Sequence, residues 1–497
     1  MNVSRIMDDN PQRLAVLRSV LVAAGFTPEG VLSAIGVKDS VSIKESDVLL
    51  LMQRTKAGTP LDTLIRLFLM ETPVDVSALQ RAIEPMGCAE WAEMGLIEIK
   101  AESAVAKMKL FPFQEMVIAY DVPRRLLTGE GGDYVMGAGG SSLTLANLTI
   151  RRHVGLSLDL GTGCGFQAFL AARHSDRVVA VDRNPRAVAI AAFNARLNGL
   201  ANVECREGDL FGPVEGMTFD MIVSNPPFVI SPESRYIYRD SGMAGDEICQ
   251  RIVREAARFL NEGGYCQILC NWAEYGDQDW RERLRGWFDG SGCDVWVMRN
   301  QSRDVATYAA TWIRHTEKLE TEHLEERFDE WLEYYRQHGI VQVGGGVISL
   351  RRRSSGANWF RADDGFETML GPCGDQILGG FEAQDFLENA TDDAFLLRTA
   401  FSLSPDVRLV QQKMPSGHEW AGEVAELHLA RGLSFRGEVD PYMEQLLIQC
   451  DGTRSLESLA GEMAVFLGAE HERVYPAVCG MVRHLVARGF LLPLRGI

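Results

Sequence analysis

Long apolar runs are missing from this 497-residue chain. A membrane-spanning helix needs about 20 consecutive, mostly apolar residues, and the longest N-terminal candidate, Leu14 to Phe26, is interrupted by Arg18. No secretory pattern opens the chain, so the expectation is a cytoplasmic protein with no membrane partner. Paired cysteines are also lacking: the ten cysteines are scattered and none forms a Cys-x-x-Cys pair. Cys266 and Cys270 come nearest, in a strand-like run where buried packing is their expected role. The chain therefore reads as reduced and without a metal. Positive charge is in deficit, 50 Lys and Arg against 68 Asp and Glu, a formal net charge of −18. That sign disfavours general attraction to phosphate backbones, and DNA is not expected as a partner. It leaves room for a local basic groove built from Arg151, Arg152, Arg183, Arg186 and Arg351 to Arg353, whose bland reading is solvated surface charge.

What is present is ordinary globular composition, 46% hydrophobic and 24% charged, in a chain too long for one domain. Its most informative stretch runs from Val154 to Phe228. A strand-like run, Val154 to Leu158, leads into Asp159-Leu-Gly161-Thr162-Gly163-Cys-Gly165. Glycines between a buried strand and a helix let the backbone approach a ligand, having no side chain and tolerating positive φ. A second strand, Val178 to Val181, ends at Asp182, followed by Arg183 and Asn184. An acidic residue about 20 positions after the first glycine can accept hydrogen bonds from a ribose. A third strand, Val203 to Glu207, leads to Asp209 and Leu210, and a fourth, Phe219 to Val223, leads to Asn225-Pro226-Pro227-Phe228. The glycine turn and the acidic residue alone also fit a NAD-type Rossmann fold.

With the Asn-Pro-Pro-Phe motif added, the segment resembles the class I S-adenosylmethionine-dependent methyltransferases of the Asn-Pro-Pro-[Phe/Tyr] subgroup. The resemblance covers roughly residues 154–350 and implies an α/β fold with a doubly wound, Rossmann-like, seven-stranded sheet. It implies that Asp159, Gly161, Thr162, Gly163 and Gly165 hold the methionine part of S-adenosylmethionine, that Asp182 with Arg183 and Asn184 holds the ribose, and that Asp209 and Leu210 hold the adenine. The motif makes chemical sense for a planar nitrogen, whose lone pair is delocalised. The Asn225 side-chain carbonyl and the Pro226 main-chain carbonyl can accept hydrogens from an NH2 group and favour positive charge developing on it. Pro226 and Pro227 stiffen the segment, and Phe228 offers a flat face. Beyond it, Tyr236, Tyr238, Arg239 and Asp240 lie in a long irregular stretch and are candidates for framing the acceptor.

Around this core three regions are expected: 1–125, mainly helical and winged-helix-like; 126–353, the methyltransferase domain with the Gly-Ser loop that precedes it; and 354–497, an accessory region, winged-helix-like from about 436. Leu14, Leu17 and Leu21, then Leu61, Leu64, Ile65, Phe68 and Leu69, repeat at helical spacing. Two short helices and a hairpin follow, without a basic recognition stripe, which favours recruitment or packing over DNA binding. In the loop at 134–147, Ser141, Ser142 and Thr144 are candidate caps for a following helix. Residues 354–435 are acidic and without assignable pattern. The C-terminal region resembles winged-helix accessory domains, including peptide-carrying modules of modification enzymes. The whole arrangement resembles a bacterial family whose flanking domains have no assigned role.

The acceptor is expected to be a planar amide or amino nitrogen on a translation component. Release-factor-type glutamine methyltransferases share Asp-Leu-Gly-Thr-Gly, although this chain lacks their Pro-Arg-Pro-Glu-Thr-Glu segment. RNA base methyltransferases more often end the motif in Phe but bring a more basic surface. The net charge puts protein ahead of RNA; a small-molecule amine, or an inactive cofactor-binding scaffold, are the remaining alternatives.

Overall fold

The computed structural model describes residues 10–36, 48–127, 131–232, 239–240, 242–316, 321–365 and 368–494. They cluster into two compact units, one drawn from 1–145 and 152–362, the other from 146–151 and 363–497.

The first unit is organised on an eight-stranded sheet. Its strands are β1 Val154–Leu160, β2 Ser175–Asp182, β3 Val203–Glu207, β4 Phe219–Ser224, β5 Leu260–Tyr275, β6 Cys293–Asp304, β7 Ile340–Arg352 and β8 Phe360–Asp364. They lie in the order β8-β6-β7-β5-β4-β1-β2-β3. The five from β3 to β5 run parallel, whereas β7 is antiparallel to both of its neighbours. Central parallel strands must be apolar on both faces, and Val178–Val181 and Met221–Val223 are buried throughout. The strand order reverses direction between β1 and β4, which opens a crevice at their carboxyl ends.

The seven expected strands are present and an eighth is added. Its cause lies in Asp294, a fully buried carboxylate on β6. It accepts hydrogen bonds from Arg351 Nη2 at 2.6 Å and from Arg353 Nη2 and Nε at 2.7 Å. Trp359 N–H donates to it at 3.2 Å, and Val295 N–H donates to Trp359 O at 3.0 Å. Burial works against this carboxylate, but the hydrogen bonds from Arg353, Arg351 and Trp359 outweigh it and hold its pKa below the usual range. The chain leaving β7 is thereby laid against β6. Arg186 is likewise buried, paired through two nitrogens with the buried Asp121. Neither a basic groove nor solvated charge describes Arg186, Arg351 and Arg353: they are spent on internal carboxylates.

Crossover helices α1 Phe166–Ala171, α2 Pro185–Leu197, α3 Glu247–Ala256 and α4 Trp280–Arg285 connect the strands. Asn184 caps α2, its side chain accepting from Arg186 N–H at 3.0 Å, with Pro185 at the first helical position. A helical pair, α5 Val305–Thr316 and α6 Thr321–Gln337, is inserted between β6 and β7. Helix α6 buries Trp331 and Tyr335 completely, and they pack with Tyr308 and Ile313 of α5 and with Val229 and Ile230. Helix α5 has no counterpart in the sequence reading.

The segment Pro11–Ile35 has the mean hydropathy of a membrane span, 1.4 over its best window. It is two helices, Pro11–Ala23 and Pro28–Ile35, broken at Gly25 with φ +76°. Neither reaches the roughly 20 residues a span requires, and Leu14, Leu17, Leu21, Val31 and Ile35 are buried. Helices Val76–Ile83 and Cys88–Glu93 precede the strands Ile97–Lys100 and Ser103–Ala106, which form a three-stranded sheet with Val74–Asp75. This is the helix-helix-hairpin order of a winged helix. The following hairpin, Met108–Phe113 with Met116–Asp121, docks on α2 through two buried asparagines. Asn194 accepts from Ala119 N–H and donates to Ala119 O, both at 2.8 Å, and Asn198 does the same with Val117 at 2.9 and 2.8 Å. Their amides replace the next strand for an otherwise open edge.

In the second unit, Ala400–Leu403, Asp451–Ser455 and Leu491–Pro493 form a small sheet beside helices Leu456–Leu467 and His471–Ala487. Asp451–Ser455 is a strand whose last residue caps the helix Leu456–Leu467, Ser455 Oγ accepting from Ser458 N–H at 3.3 Å. Residues 354–435 are not patternless: they include helix Gly374–Asn389 and the hairpin Val407–Ser416 with Glu419–Leu429.

Candidate active site

At the end of β1 the chain turns through Gly161 (φ +74°), Gly163 (φ +55°) and Gly165 (φ +92°). The first two glycines have a different reason from the third. A Cβ at Gly161 or Gly163 would meet no atom within 4 Å, so both face open space, whereas one at Gly165 would strike the Phe169 ring at 2.1 Å. The turn is pinned on both sides. Asp159, buried, accepts from Thr162 Oγ at 2.6 Å and from Ala168 N–H at 2.9 Å. Asp182, at the end of β2, accepts from Gly163 N–H at 2.8 Å and from Asn184 N–H at 2.9 Å. Burial pushes Asp159 up to about 7, against those two hydrogen bonds and helped by the nearby Asp182. Burial also raises Asp182, opposed by its backbone hydrogen bonds and by Arg183.

One cavity runs from this turn past Arg183, Asp209 and Leu210 to Asn225 and Phe228. Leu210 takes φ +45°, rare for a side chain of its size. Asp209 is 58% exposed, with Arg251 at 3.9 Å. The Asn184 side chain is occupied in structure, capping α2 and donating to Asp133 O at 2.9 Å.

At the other end, Asn225 Nδ2 lies 3.3 Å from Ser141 Oγ and 3.4 Å from Ser142 Oγ. These serines sit in the first turn of helix Gly140–Leu148 rather than capping it. Asn225 Oδ1 is buried and has no hydrogen-bond partner among the described residues. The Phe228 ring meets the Trp312 ring edge-on, centroids 6.4 Å apart and planes at 73°. The backbone beyond is held by the helical insertion: Tyr308 OH accepts from Ile230 N–H at 3.2 Å and Tyr335 OH donates to Ile230 O at 2.8 Å. Arg239 is buried and lines the cavity, its Nε 2.7 Å from Asp240 Oδ1, with the guanidinium 5.6 Å from the Trp331 ring. Asp240 also accepts from Ser231 Oγ at 2.9 Å, so it serves Arg239 and the loop. Tyr236 and Tyr238 lie outside the described residues.

Sequence reasoning took Ser141 and Ser142 only as candidate caps and missed Trp312 as a wall residue. For the serines a signal existed, two hydroxyls in a glycine-rich segment just before β1; for Trp312 there was none. No group of three or more His, Cys, Asp or Glu is placed to hold a metal among the described residues.

The methyltransferase small domain family matches residues 138–285, and two families described as domains of unknown function match 23–107 and 379–493. The release factor glutamine methyltransferase of Geobacter sulfurreducens is 37% identical over 162 residues, 30% of this chain and 55% of that protein. That of Salmonella typhimurium is 36% identical over 132 residues, 24% of this chain and 47% of that one. The ribosomal protein uL3 glutamine methyltransferase of Bradyrhizobium diazoefficiens is 37% identical over 126 residues, 22% and 40% respectively. The chain spans about half the length of these relatives. Its parallel strand order with the antiparallel β7, its glycine turn and its Asn225–Phe228 motif agree with that match: residues 138–285 are similar to the methyltransferase small domain.

Proposed function

We propose that the chain is an N-methyltransferase that uses S-adenosylmethionine to methylate the side-chain amide of a glutamine in a protein of the cytoplasmic translation machinery. The observation that carries this reading is the buried, unpartnered Asn225 Oδ1 on the cavity wall. A buried carbonyl oxygen without a donor is costly, at about 1–3 kcal/mol, and an N–H of the acceptor would remove that cost. The named relatives, release factor and uL3 glutamine methyltransferases, support an amide as that acceptor.

The residues present fit the cofactor. Gly161 and Gly163 leave open the space that a side chain would fill, Asp182 closes the end of β2 where a ribose would sit, and Asp209 and Leu210 offer the adenine edge. When bound, S-adenosylmethionine supplies an electrophilic methyl on a sulfonium sulfur. Asn225 Oδ1 and Pro226 O accept the two amide hydrogens and draw electron density toward the nitrogen, countering its delocalisation. Phe228 holds the amide plane flat, and Trp312 fixes the edge of that ring. Forming the N–CH3 bond would break the S–CH3 bond, its electron pair staying on sulfur as a neutral thioether; the nitrogen would then give one proton to solvent, and these oxygens would stabilise its positive charge until that proton leaves. Arg239, held by Asp240, keeps the loop after Phe228 in place. The flanking regions 1–125 and 354–497 recruit the acceptor. Protein is preferred to RNA because Arg186, Arg351 and Arg353 are engaged with Asp121 and Asp294 and have no phosphate to meet.

The test is transfer of labelled methyl from S-adenosylmethionine into a cell extract separated into protein, RNA and small molecules, with Asn225→Ala as control. Label in protein that disappears with the variant is the expected result. Label confined to RNA or to small molecules overturns the glutamine reading.

A further inference from the structure

Asp121 ends the hairpin that docks on α2, and it is fully buried. Its carboxylate accepts from Arg186 Nε at 3.1 Å through Oδ1 and at 2.9 Å through Oδ2, and Arg186 Nη2 donates to Oδ1 as well. Oδ2 also accepts from Val135 N–H at 2.9 Å, while Asp121 N–H donates to Val135 O at 3.1 Å. A guanidinium and a backbone N–H can only donate, and a carbonyl can only accept, so each of these bonds has one possible sense. One residue thus ties the N-terminal hairpin both to α2 and to the chain at Val135. Its neighbour Tyr120 lies against Gly137: a Cβ there would stand 2.6 Å from the Tyr120 ring, closer than side chains come.

The chain from Asp133 to Ser142 is fastened at both ends beside the glycine turn. Asp133 O accepts at 2.9 Å from Nδ2 of Asn184, two residues beyond Asp182, and Ser142 O accepts at 2.8 Å from Nε2 of Gln167, in the first turn of α1. Between those points Tyr134, Val135, Met136 and Gly137 line the same cavity as the glycine turn and Asp182. Tyr134 and Val135 are buried. The hairpin is itself braced from the helix Pro11–Ala23, where Arg18 donates to Glu115 O at 3.2 Å and to Asn198 O at 3.3 Å.

We infer that Tyr120 and Asp121 are positioning residues for S-adenosylmethionine: they hold residues 134–137 as one wall of its site, so that the N-terminal region completes the cofactor cavity. This rests on the reading of that cavity as an S-adenosylmethionine site. Neither residue lines the cavity itself, and both act through Val135 and Gly137. A buried carboxylate and guanidinium gain little net stability from each other, because desolvation offsets their attraction. What the Asp121 and Arg186 pair supplies is a fixed place for Val135, and a wall already in place spares the cofactor the cost of ordering it.

Calorimetric titration of S-adenosylmethionine into the full chain tests this without any acceptor. Gly137→Ala drives a methyl into the Tyr120 ring and is expected to weaken cofactor binding roughly 10-fold by displacing the wall. The same substitution added to Tyr120→Ala, where the ring is gone, is expected to change affinity by less than about twofold relative to Tyr120→Ala alone. Asp121→Ala, which takes the carboxylate from Arg186 and Val135, is expected to weaken binding roughly 10- to 100-fold; if that variant does not fold, the Gly137 and Tyr120 cycle decides alone. Wild-type affinity in Gly137→Ala overturns the inference. An equal loss from Gly137→Ala with and without the Tyr120 ring overturns it too, because the methyl would then obstruct the cavity directly. Failure of the underlying reading looks different: a wild-type chain that binds no S-adenosylmethionine ends the cofactor reading and the inference with it.

Discussion

The two ends of the cavity are built in opposite ways. At the cofactor end, Asp159, the glycine turn, Asp182, Asp209 and Leu210 all come from one run of the chain, and each stands at the carboxyl end of a consecutive parallel strand. At the end proposed for the acceptor, Ser141 and Ser142 precede the sheet, Asn225 and Phe228 follow β4, and Trp312 comes from a helical pair inserted between β6 and β7. A single cofactor can be gripped by backbone groups and carboxylates that the sheet topology brings together anyway. An acceptor has to be distinguished from others, and here that wall is assembled from segments more than 80 residues apart in sequence.

If the division holds, substitutions at the two ends should separate in turnover and cofactor affinity. The largest effect is expected at Asn225. Asn225→Ala removes the buried, unpartnered oxygen that the proposal aims at the reacting nitrogen, and by analogy with loss of one preorganised polar group it should lower turnover roughly 10²- to 10³-fold, with cofactor affinity nearly unchanged by calorimetry. Next is Asp182→Ala, which deletes a half-buried carboxylate that also holds Gly163 N–H. A charge-assisted hydrogen bond is worth about 1.5–3 kcal/mol, so cofactor affinity should fall roughly 10- to 100-fold before any defect in the chemical step is seen at saturation. The reverse pattern, turnover lost with affinity kept, would break the comparison.

Trp312→Ala is the sharper, smaller test. The ring contacts Phe228 and leaves the glycine turn untouched. An aromatic pair contributes about 0.5–1.5 kcal/mol beyond its buried area, so kcat/KM for the acceptor should fall several-fold to about tenfold. Cofactor affinity should not move. A parallel drop in both would show that the insertion supports the whole cavity rather than its acceptor wall.

How much of this was legible in the sequence follows the same line. Asp159, Asp182 and Asn225 could be read because strand, turn and ligand-type residue are adjacent in the chain, and the sheet order follows from alternating strands and helices. The eighth strand could not, because it depends on Asp294 meeting Arg351, Arg353 and Trp359 across nearly 60 residues or more. Nor could the docking of the hairpin on α2: Asn194 and Asn198 read as ordinary polar helix positions until their amides are seen bonded to Ala119 and Val117. Charge was misleading for the same reason. Arg186 and Arg351 looked available on a chain of net charge −18, yet their partners, Asp121 and Asp294, are distant in sequence and buried.

The smallest expected effect concerns stability at the cofactor end and comes from Asp159. Burial lifts its carboxyl to about 7 in the folded chain, against about 3.9 for an unperturbed aspartate. A raised folded pKa means that the native state binds the proton more tightly than the unfolded state does. The contribution to stability is therefore complete below about pH 4 and is lost progressively as pH rises to about 7. Asp159→Asn is fixed in a neutral form and keeps an oxygen for Thr162 Oγ and Ala168 N–H. Its Tm should come closest to that of the wild type below about pH 4 and exceed it at pH 8 by a few degrees. Carboxylates held low, such as Asp294 and Asp220, change the wild type and the variant alike and cancel from the difference. A difference that does not change between pH 4 and pH 8 would mean that Asp159 is ionised throughout, and that the glycine turn is held by a charge rather than by a neutral acid.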